Sequence, residues 1–157
     1  MRVRELGAYK NGKKWNILLA VSGEDAANGV PARRWEDVWL VGGTTAHKML
    51  QFVTTILNDI GPANGNNFYV FTMDNLNSHK NRAVVALIHL YGHGIVYRAP
   101  YWAVDDSIEF VFNMMLTFVR WKMYQIMNGN NLVAAIYQSI QSIDDFASYF
   151  ENVGFVI

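Results

Sequence analysis

The sequence predicts an α/β domain in which helices cover a partly parallel sheet. Short apolar runs of strand length alternate along the chain with segments whose apolar residues recur at helical spacing. The chain has 157 residues, of which 52% are hydrophobic and 17% are charged, as is typical of a packed globular protein. No repeat or linker divides it, so we expect one domain over residues 1–157.

The first half of the chain is predicted to hold three strands and two helices. Residues 15–21 and 38–41 are short apolar runs that predict strands. A helix follows the GGTT stretch, because five apolar residues recur there at helical spacing: Met49, Phe52, Val53, Ile56 and Ile60. The apolar run 68–73 predicts a strand covered on both faces, and 82–91 predicts the second helix.

The second half is predicted to be mainly helical. A strand over 95–97 leads through a loop to a long apolar helix over 108–127. The NGNN stretch at 128–131 is expected to break that helix, because asparagine and glycine favour turns. Residues 132–142 and 144–152 then predict two closing helices.

Composition restricts the possible chemistry. The chain has no cysteine, so a metal would have to bind carboxylates, histidines or carbonyls. Thirteen basic residues balance thirteen acidic ones, whereas a dedicated nucleic-acid binder usually has a basic excess. Residues 1–14 do carry five basic residues against Glu5, which suits either phosphate contact or a solvated terminus. No apolar run has the length of a membrane helix, so we expect a soluble, intracellular protein.

Asp74 stands where the apolar run 68–73 ends, within the stretch FTMDNLNSHKN. Catalytic and ligand-binding groups of open α/β sheets gather beyond the carboxyl ends of strands. Aspartate is also a common strand terminator, because its side chain bonds the next backbone amides. His79 follows five residues later and is either a ligand-orienting group or an ordinary loop histidine.

Glu109 opens the long helix and also has two interpretations. Asp106 and Glu109 have the spacing of a capping box, with Asp106 as N-cap. Alternatively, Asp74 and Glu109 converge in space, and paired carboxylates suit Mg²⁺ or Mn²⁺. Two such ions can clamp the oxygens of a phosphoryl displacement, although that chemistry normally needs three or four acidic ligands.

The remaining candidates have weaker patterns. His47, His89 and His93 show no spacing typical of a metal site. The GGTT stretch at 42–45 precedes a helix, where a phosphate could bind, but it lacks the established phosphate-loop patterns. Thr44 or Thr45 acting as N-cap is the preferred interpretation.

Two blocks of the sequence resemble the catalytic blocks of mariner-type DDE transposases. MDN followed by HKN, at 73–81, resembles the family's DNxxxHK block, whose Asp is the second catalytic acid. Residues 99–120 resemble the block PPYSPDLNPIExVFxxxKxxLR, whose Glu is the third acid. The 34 residues between Asp74 and Glu109 match the family's spacing. Residues 12–23 and 135–155 resemble its early strand pair and closing helices.

The resemblance implies a ribonuclease H-like mixed sheet flanked by helices. It implies Mg²⁺- or Mn²⁺-dependent cleavage and joining of DNA at the ends of a mobile element, with two ions and no small-molecule cofactor. Asp74 and Glu109 would be catalytic metal ligands, and Asn75 and His79 would support them. Asp106 replaces the family's Asn and offers a spare carboxylate. The protein would be nuclear if its host is eukaryotic.

The match departs from the family at its start. The family's first Asp lies on a strand upstream of the region that matches residues 4–14, so we expect the first strand and its acid to be missing. We also expect no helix-turn-helix DNA-binding region, with DNA a partner of the full-length ancestor and activity weak or absent.

Two further functions are left open by the sequence. One is a non-catalytic interaction or dimerisation module, because helix 108–121 is apolar almost all round and a lost strand would expose a sheet edge. The other is a flavodoxin-like phosphate or nucleotide binder that uses GGTT.

Overall fold

The fold is mixed α/β, as the sequence predicts. The computed structural model describes residues 16–23, 29–39, 42–74, 79–98, 107–121 and 129–143. In chain order the elements are β1 (Asn16–Ser22), β2 (Arg33–Trp39), α1 (Ala46–Ile60), β3 (Val70–Met73), α2 (Arg82–Leu90), β4 (Gly94–Tyr97), α3 (Ser107–Trp121) and α4 (Gly129–Gln141). The strands form two small sheets, an antiparallel β1–β2 pair and a parallel β3–β4 pair.

The described residues fall into two compact units. The first comprises residues 16–18 and 39–98, and the second comprises residues 19–38, 107–121 and 129–143. No helix in the described part of the chain has both the length and the apolar character that crossing a membrane requires.

Helix α1 forms much of the core of the first unit. It begins after Thr45, whose hydroxyl accepts a hydrogen bond from the Lys48 amide at 3.2 Å, and ends at Gly61. Its buried residues include all five that the helical spacing predicts, together with Leu57: Met49, Phe52, Val53, Ile56, Leu57 and Ile60. The helix packs against α2, which contributes the buried side chains of Val84 and Ile88.

The parallel pair β3–β4 differs from its prediction in one respect. Its register pairs Phe71 with Ile95 and Met73 with Tyr97. Successive side chains of a strand point to opposite faces, and the face that carries Met73 is buried. Val70 lies on the other face and is 52% exposed, so β3 is not covered on both faces.

The second unit joins the β1–β2 hairpin to helices α3 and α4. Val111 of α3 and Ile143 after α4 form a buried cluster, against which three hairpin residues pack: Leu19, Val21 and Ala32. Arg34 of β2 donates hydrogen bonds to the carbonyls of Ile140 and Ile143, both at 3.1 Å. A cation therefore satisfies carbonyl groups at the end of α4.

Several element boundaries differ from those that the sequence predicts. Strand β2 covers 33–39 rather than 38–41, because it begins with a segment of four charged residues and Trp35, all of them partly buried. An apolar-run criterion identifies only its end. Helix α4 begins at Gly129, inside the predicted NGNN break. Residues 122–127 and 144–152, predicted as helical, lie outside the described residues.

Candidate functional site

The carboxyl end of the β3–β4 pair carries the first candidate acid. Met73 and Tyr97 are paired at the ends of their strands, so Asp74 and Arg98 are the residues that directly follow β3 and β4. The Arg98 amide donates to the Met73 carbonyl at 2.9 Å, which extends the pairing by one bond. Asp74 therefore has the strand-end position that the sequence predicts, and its side chain is 52% exposed.

His79 lies against Asp74. The His79 Nδ1 atom lies in close contact with Asp74 Oδ1, although the contact lacks the geometry of a good hydrogen bond. The imidazole is mostly buried, whereas the carboxylate is half-exposed. The structure therefore brings together two of the residues that the sequence singles out, around a carboxylate whose side chain is half-exposed.

Tyr97 of β4 contacts the segment that carries His79. Its hydroxyl donates a hydrogen bond to the backbone carbonyl of His79 at 2.9 Å. The Lys80 ammonium lies 5.9 Å from the centre of the same ring, within the range of a cation–π contact. Burial raises the pKa of the Tyr97 hydroxyl above its usual value, so the group remains a hydrogen-bond donor at physiological pH.

The segment after His79 is fixed by a helix cap. The side-chain oxygen of Asn81 accepts a hydrogen bond from the Ala83 amide at 2.9 Å and starts α2. Helix α2 in turn packs against β4, the strand that carries Tyr97. Residues 79–81 are thus held from two sides, by a helix start and by a strand.

The other predicted site residues are placed only in part. Helix α3 begins at Ser107, which puts Glu109 at the third helical position, as a capping box requires. Its backbone belongs to the second unit, whereas Asp74 belongs to the first. Asn75 and Asp106 lie outside the described residues, as does the loop before α3.

The described donor set suits a hard divalent cation in kind but not in number. A half-exposed carboxylate with an imidazole beside it supplies oxygen and nitrogen donors of the type that Mn²⁺ accepts. No group of three or more such side chains occurs among the residues that the structure describes. A complete site would therefore need further ligands, and Glu109 and Asp106 are the residues that the sequence nominates.

The amino end of the same strand pair is closed by a different histidine. His93 is 2% exposed, and its Nδ1 accepts the Tyr69 amide at 3.4 Å. That bond leaves the ring proton on Nε2, which donates to the Gly61 carbonyl at 2.9 Å. Aromatic side chains surround the ring at centroid distances between 5.8 and 6.4 Å: Phe68, Tyr69 and Phe71. His93 is thus a structural core residue.

The remaining candidate residues have structural roles or lie exposed on the surface. Thr45 caps α1, which confirms the preferred interpretation of GGTT. Asn16 donates to the Gly42 carbonyl at 2.6 Å and ties that turn to β1. His47 and His89 are exposed.

Tyr97 is the site residue that sequence reasoning missed. Its signal was an aromatic residue at the end of a predicted strand, which is also typical of an ordinary β residue. Its contact with His79 depends on the β3–β4 register, and no local pattern specifies that register.

Comparison with known proteins adds no identification. No protein-family model matches the chain, and no curated protein matches it.

Proposed function

We propose that this chain is a ribonuclease H-like catalytic domain of the DDE transposase or endonuclease type. In this proposal Asp74 and Glu109 are metal ligands, and the substrate is the phosphodiester backbone of DNA at the ends of a mobile element. The motif order and the spacing of the two acids motivate it. Activity of this chain is proposed to be weak, because the sequence matches two of the three acids.

One structural observation supports the proposal most strongly. Asp74 leaves the carboxyl end of a parallel strand pair and meets His79, which belongs to the same motif. The two residues are five positions apart, and many loop conformations would keep them separate. A motif whose members come together around a half-exposed carboxylate is what a working site requires.

The residues have distinct parts in the proposed chemistry. Asp74 and Glu109 would hold a divalent cation through their carboxylate oxygens, with His79 restricting the orientation of the Asp74 carboxylate. A bound Mg²⁺ or Mn²⁺ would stabilise the negative charge that develops on the transferring phosphoryl group. Lys80 is exposed, directly follows His79 in the chain and would offer a cation to the DNA backbone.

A calorimetric titration with Mn²⁺ tests the metal ligands. Asp74→Asn and Glu109→Gln should each weaken binding by at least about tenfold, since each removes a charged oxygen ligand. Asp59→Asn is the matched control, because Asp59 is an exposed aspartate on α1 of the same unit. Equal Mn²⁺ affinity in the wild type and Asp74→Asn would refute the proposal. Nicking of supercoiled DNA in Mn²⁺ then tests residual activity.

A non-catalytic interaction module is the second candidate, and one surface favours it. Three apolar residues around β3 and β4 are at least half exposed, at 62% for Phe68 and 52% each for Val70 and Val96. Parallel strands are usually covered on both faces, so such exposure is typical of a contact surface. Sedimentation velocity should then show a dimer that Val70→Lys dissociates, with Mn²⁺ affinity absent in every variant.

A further inference from the structure

We infer that Tyr97 is a positioning residue, which sets the Asp74–His79 pair by holding the backbone of His79. The sequence comparison with the transposase blocks gives this tyrosine no role. Its importance to catalysis rests on the proposed function, whereas its effect on the geometry of the pair does not.

Asp74 and His79 are held in place by different parts of the chain. Asp74 is half-exposed and directly follows β3, so the end of the strand fixes its backbone. His79 lies on a turn, and its imidazole reaches Asp74 only if that turn keeps its position. A bond to the His79 backbone therefore controls where the imidazole meets the carboxylate.

Tyr97 provides that bond from a rigid element. Its strand β4 is paired with β3 in register, with Tyr97 opposite Met73, one residue before Asp74. The hydroxyl spans from this strand to the His79 carbonyl at 2.9 Å. Both residues are thus fixed to the carboxyl end of the β3–β4 pair. Asp74 is fixed because it directly follows β3, and His79 is fixed by its hydrogen bond from Tyr97.

The tyrosine ring adds a second restraint. The Lys80 ammonium lies over it, 5.9 Å from the ring centre, and Lys80 directly follows His79. The hydroxyl and the ring therefore act on neighbouring residues of one segment. Substitution of Tyr97 by phenylalanine distinguishes the effect of the hydroxyl from that of the ring, because it removes the hydroxyl and keeps the ring.

The chain offers a matched control for that substitution. Tyr91 follows α2 in the same unit, and its hydroxyl donates to the side-chain oxygen of Asn58 at 3.0 Å. Tyr97→Phe and Tyr91→Phe each delete one tyrosine hydrogen bond. Both variants should lower the melting temperature by a similar amount, about 2–4 °C. A change in the Asp74 signals that occurs in only one variant then reports a displaced His79 and not a general loss of stability.

The experiment records ¹³C and ¹⁵N NMR spectra of the wild type and both variants. In Tyr97→Phe, the His79 carbonyl, the His79 ring nitrogens and the Asp74 carboxyl carbon should all shift, while Tyr91→Phe leaves them unchanged. Unchanged His79 ring and Asp74 carboxyl signals in Tyr97→Phe would overturn the inference. Equal shifts in both variants would overturn it as well.

A Mn²⁺ titration of the same samples separates this inference from the proposed function. Tyr97→Phe should weaken Mn²⁺ binding about fivefold, the effect of one lost supporting hydrogen bond, while Tyr91→Phe keeps the wild-type affinity. Wild-type affinity in Tyr97→Phe would contradict a positioning role. If the wild type binds no Mn²⁺, the proposed function fails, and the NMR shifts alone decide the role of Tyr97.

Discussion

The two ends of the β3–β4 pair each carry a histidine, and the two histidines differ in their surroundings. At the amino end, His93 is almost fully buried, and both ring nitrogens have backbone partners on Tyr69 and Gly61. At the carboxyl end, His79 meets the half-exposed carboxylate of Asp74. One end is closed by satisfied hydrogen bonds and aromatic rings, and the other presents a charged oxygen to solvent.

The two ends therefore provide different chemical environments on one strand pair. Buried polar groups are retained when their hydrogen bonds are satisfied, and they then hold the fold together. A half-exposed carboxylate is accessible to a ligand, and the carboxyl ends of parallel strands are where such groups collect. We therefore expect substitutions at the amino end to change unfolding and those at the carboxyl end to change binding.

His93→Ala should have the largest effect on stability. It removes a buried ring and leaves the Tyr69 amide and the Gly61 carbonyl without their partner. We expect a loss of about 2–4 kcal/mol in the free energy of unfolding, measured by urea denaturation. His89→Ala is the control, because His89 is exposed on α2 and should change stability by about 0.5 kcal/mol or less. Equal losses in the two variants would remove the structural role of His93.

Gly92→Ala should cause the next largest loss of stability, and it also affects the amino end of the β3–β4 pair. Gly92 has a φ of 81°, which residues with a side chain rarely adopt, and an added Cβ would lie 3.1 Å from Ala63 Cβ. We expect a loss of about 1–2 kcal/mol by urea denaturation. Gly65→Ala is the control, since Gly65 has open space around it and should be nearly neutral. A neutral Gly92→Ala would show that this turn is not constrained.

Asp74→Asn should barely change stability. The Asp74 carboxylate is half-exposed, so its contact with His79 should contribute little, and we expect a change of about 0.5 kcal/mol in the free energy of unfolding. Urea denaturation measures the change in stability, and the Mn²⁺ titration of the same variant measures the change in metal affinity. A loss as large as that of His93→Ala would make Asp74 a structural residue and end the contrast between the two ends.

Alkaline pH should produce the smallest change, through Tyr97. Burial raises the pKa of its hydroxyl, so the unfolded chain releases this proton at lower pH than the folded protein does. The free energy of unfolding should therefore fall as pH rises above about 10. Tyr97→Phe should show a shallower fall in urea denaturation from neutral pH to about pH 11. Identical slopes would contradict a raised pKa for the Tyr97 hydroxyl.

The sequence predicts those parts of the molecule that local patterns control. The helical spacing of Phe52, Val53 and Ile56 is a property of α1 alone, and the helix has those residues buried. Asp74 could be placed at a strand end for the same reason. Strand β2 was predicted too short, because its half-buried charged residues depend on pairing with β1 for their role.

Long-range contacts limit what can be predicted about the site. Tyr97 reaches His79 across 18 positions, and His93 reaches Gly61 across 32. Both contacts follow from strand register and helix packing. The sequence therefore indicates candidate site residues within 73–81, while the structure adds the contact of Tyr97 with His79.

Paramagnetic broadening of NMR signals by Mn²⁺ would locate the metal within the chain. We predict that low Mn²⁺ concentrations broaden the signals of Asp74, His79 and Glu109, leave those of His93 sharp, and lose this selectivity in Asp74→Asn. Broadening that is the same in Asp74→Asn and the wild type, or that never reaches Asp74, would contradict a metal site at the carboxyl end of β3 and β4.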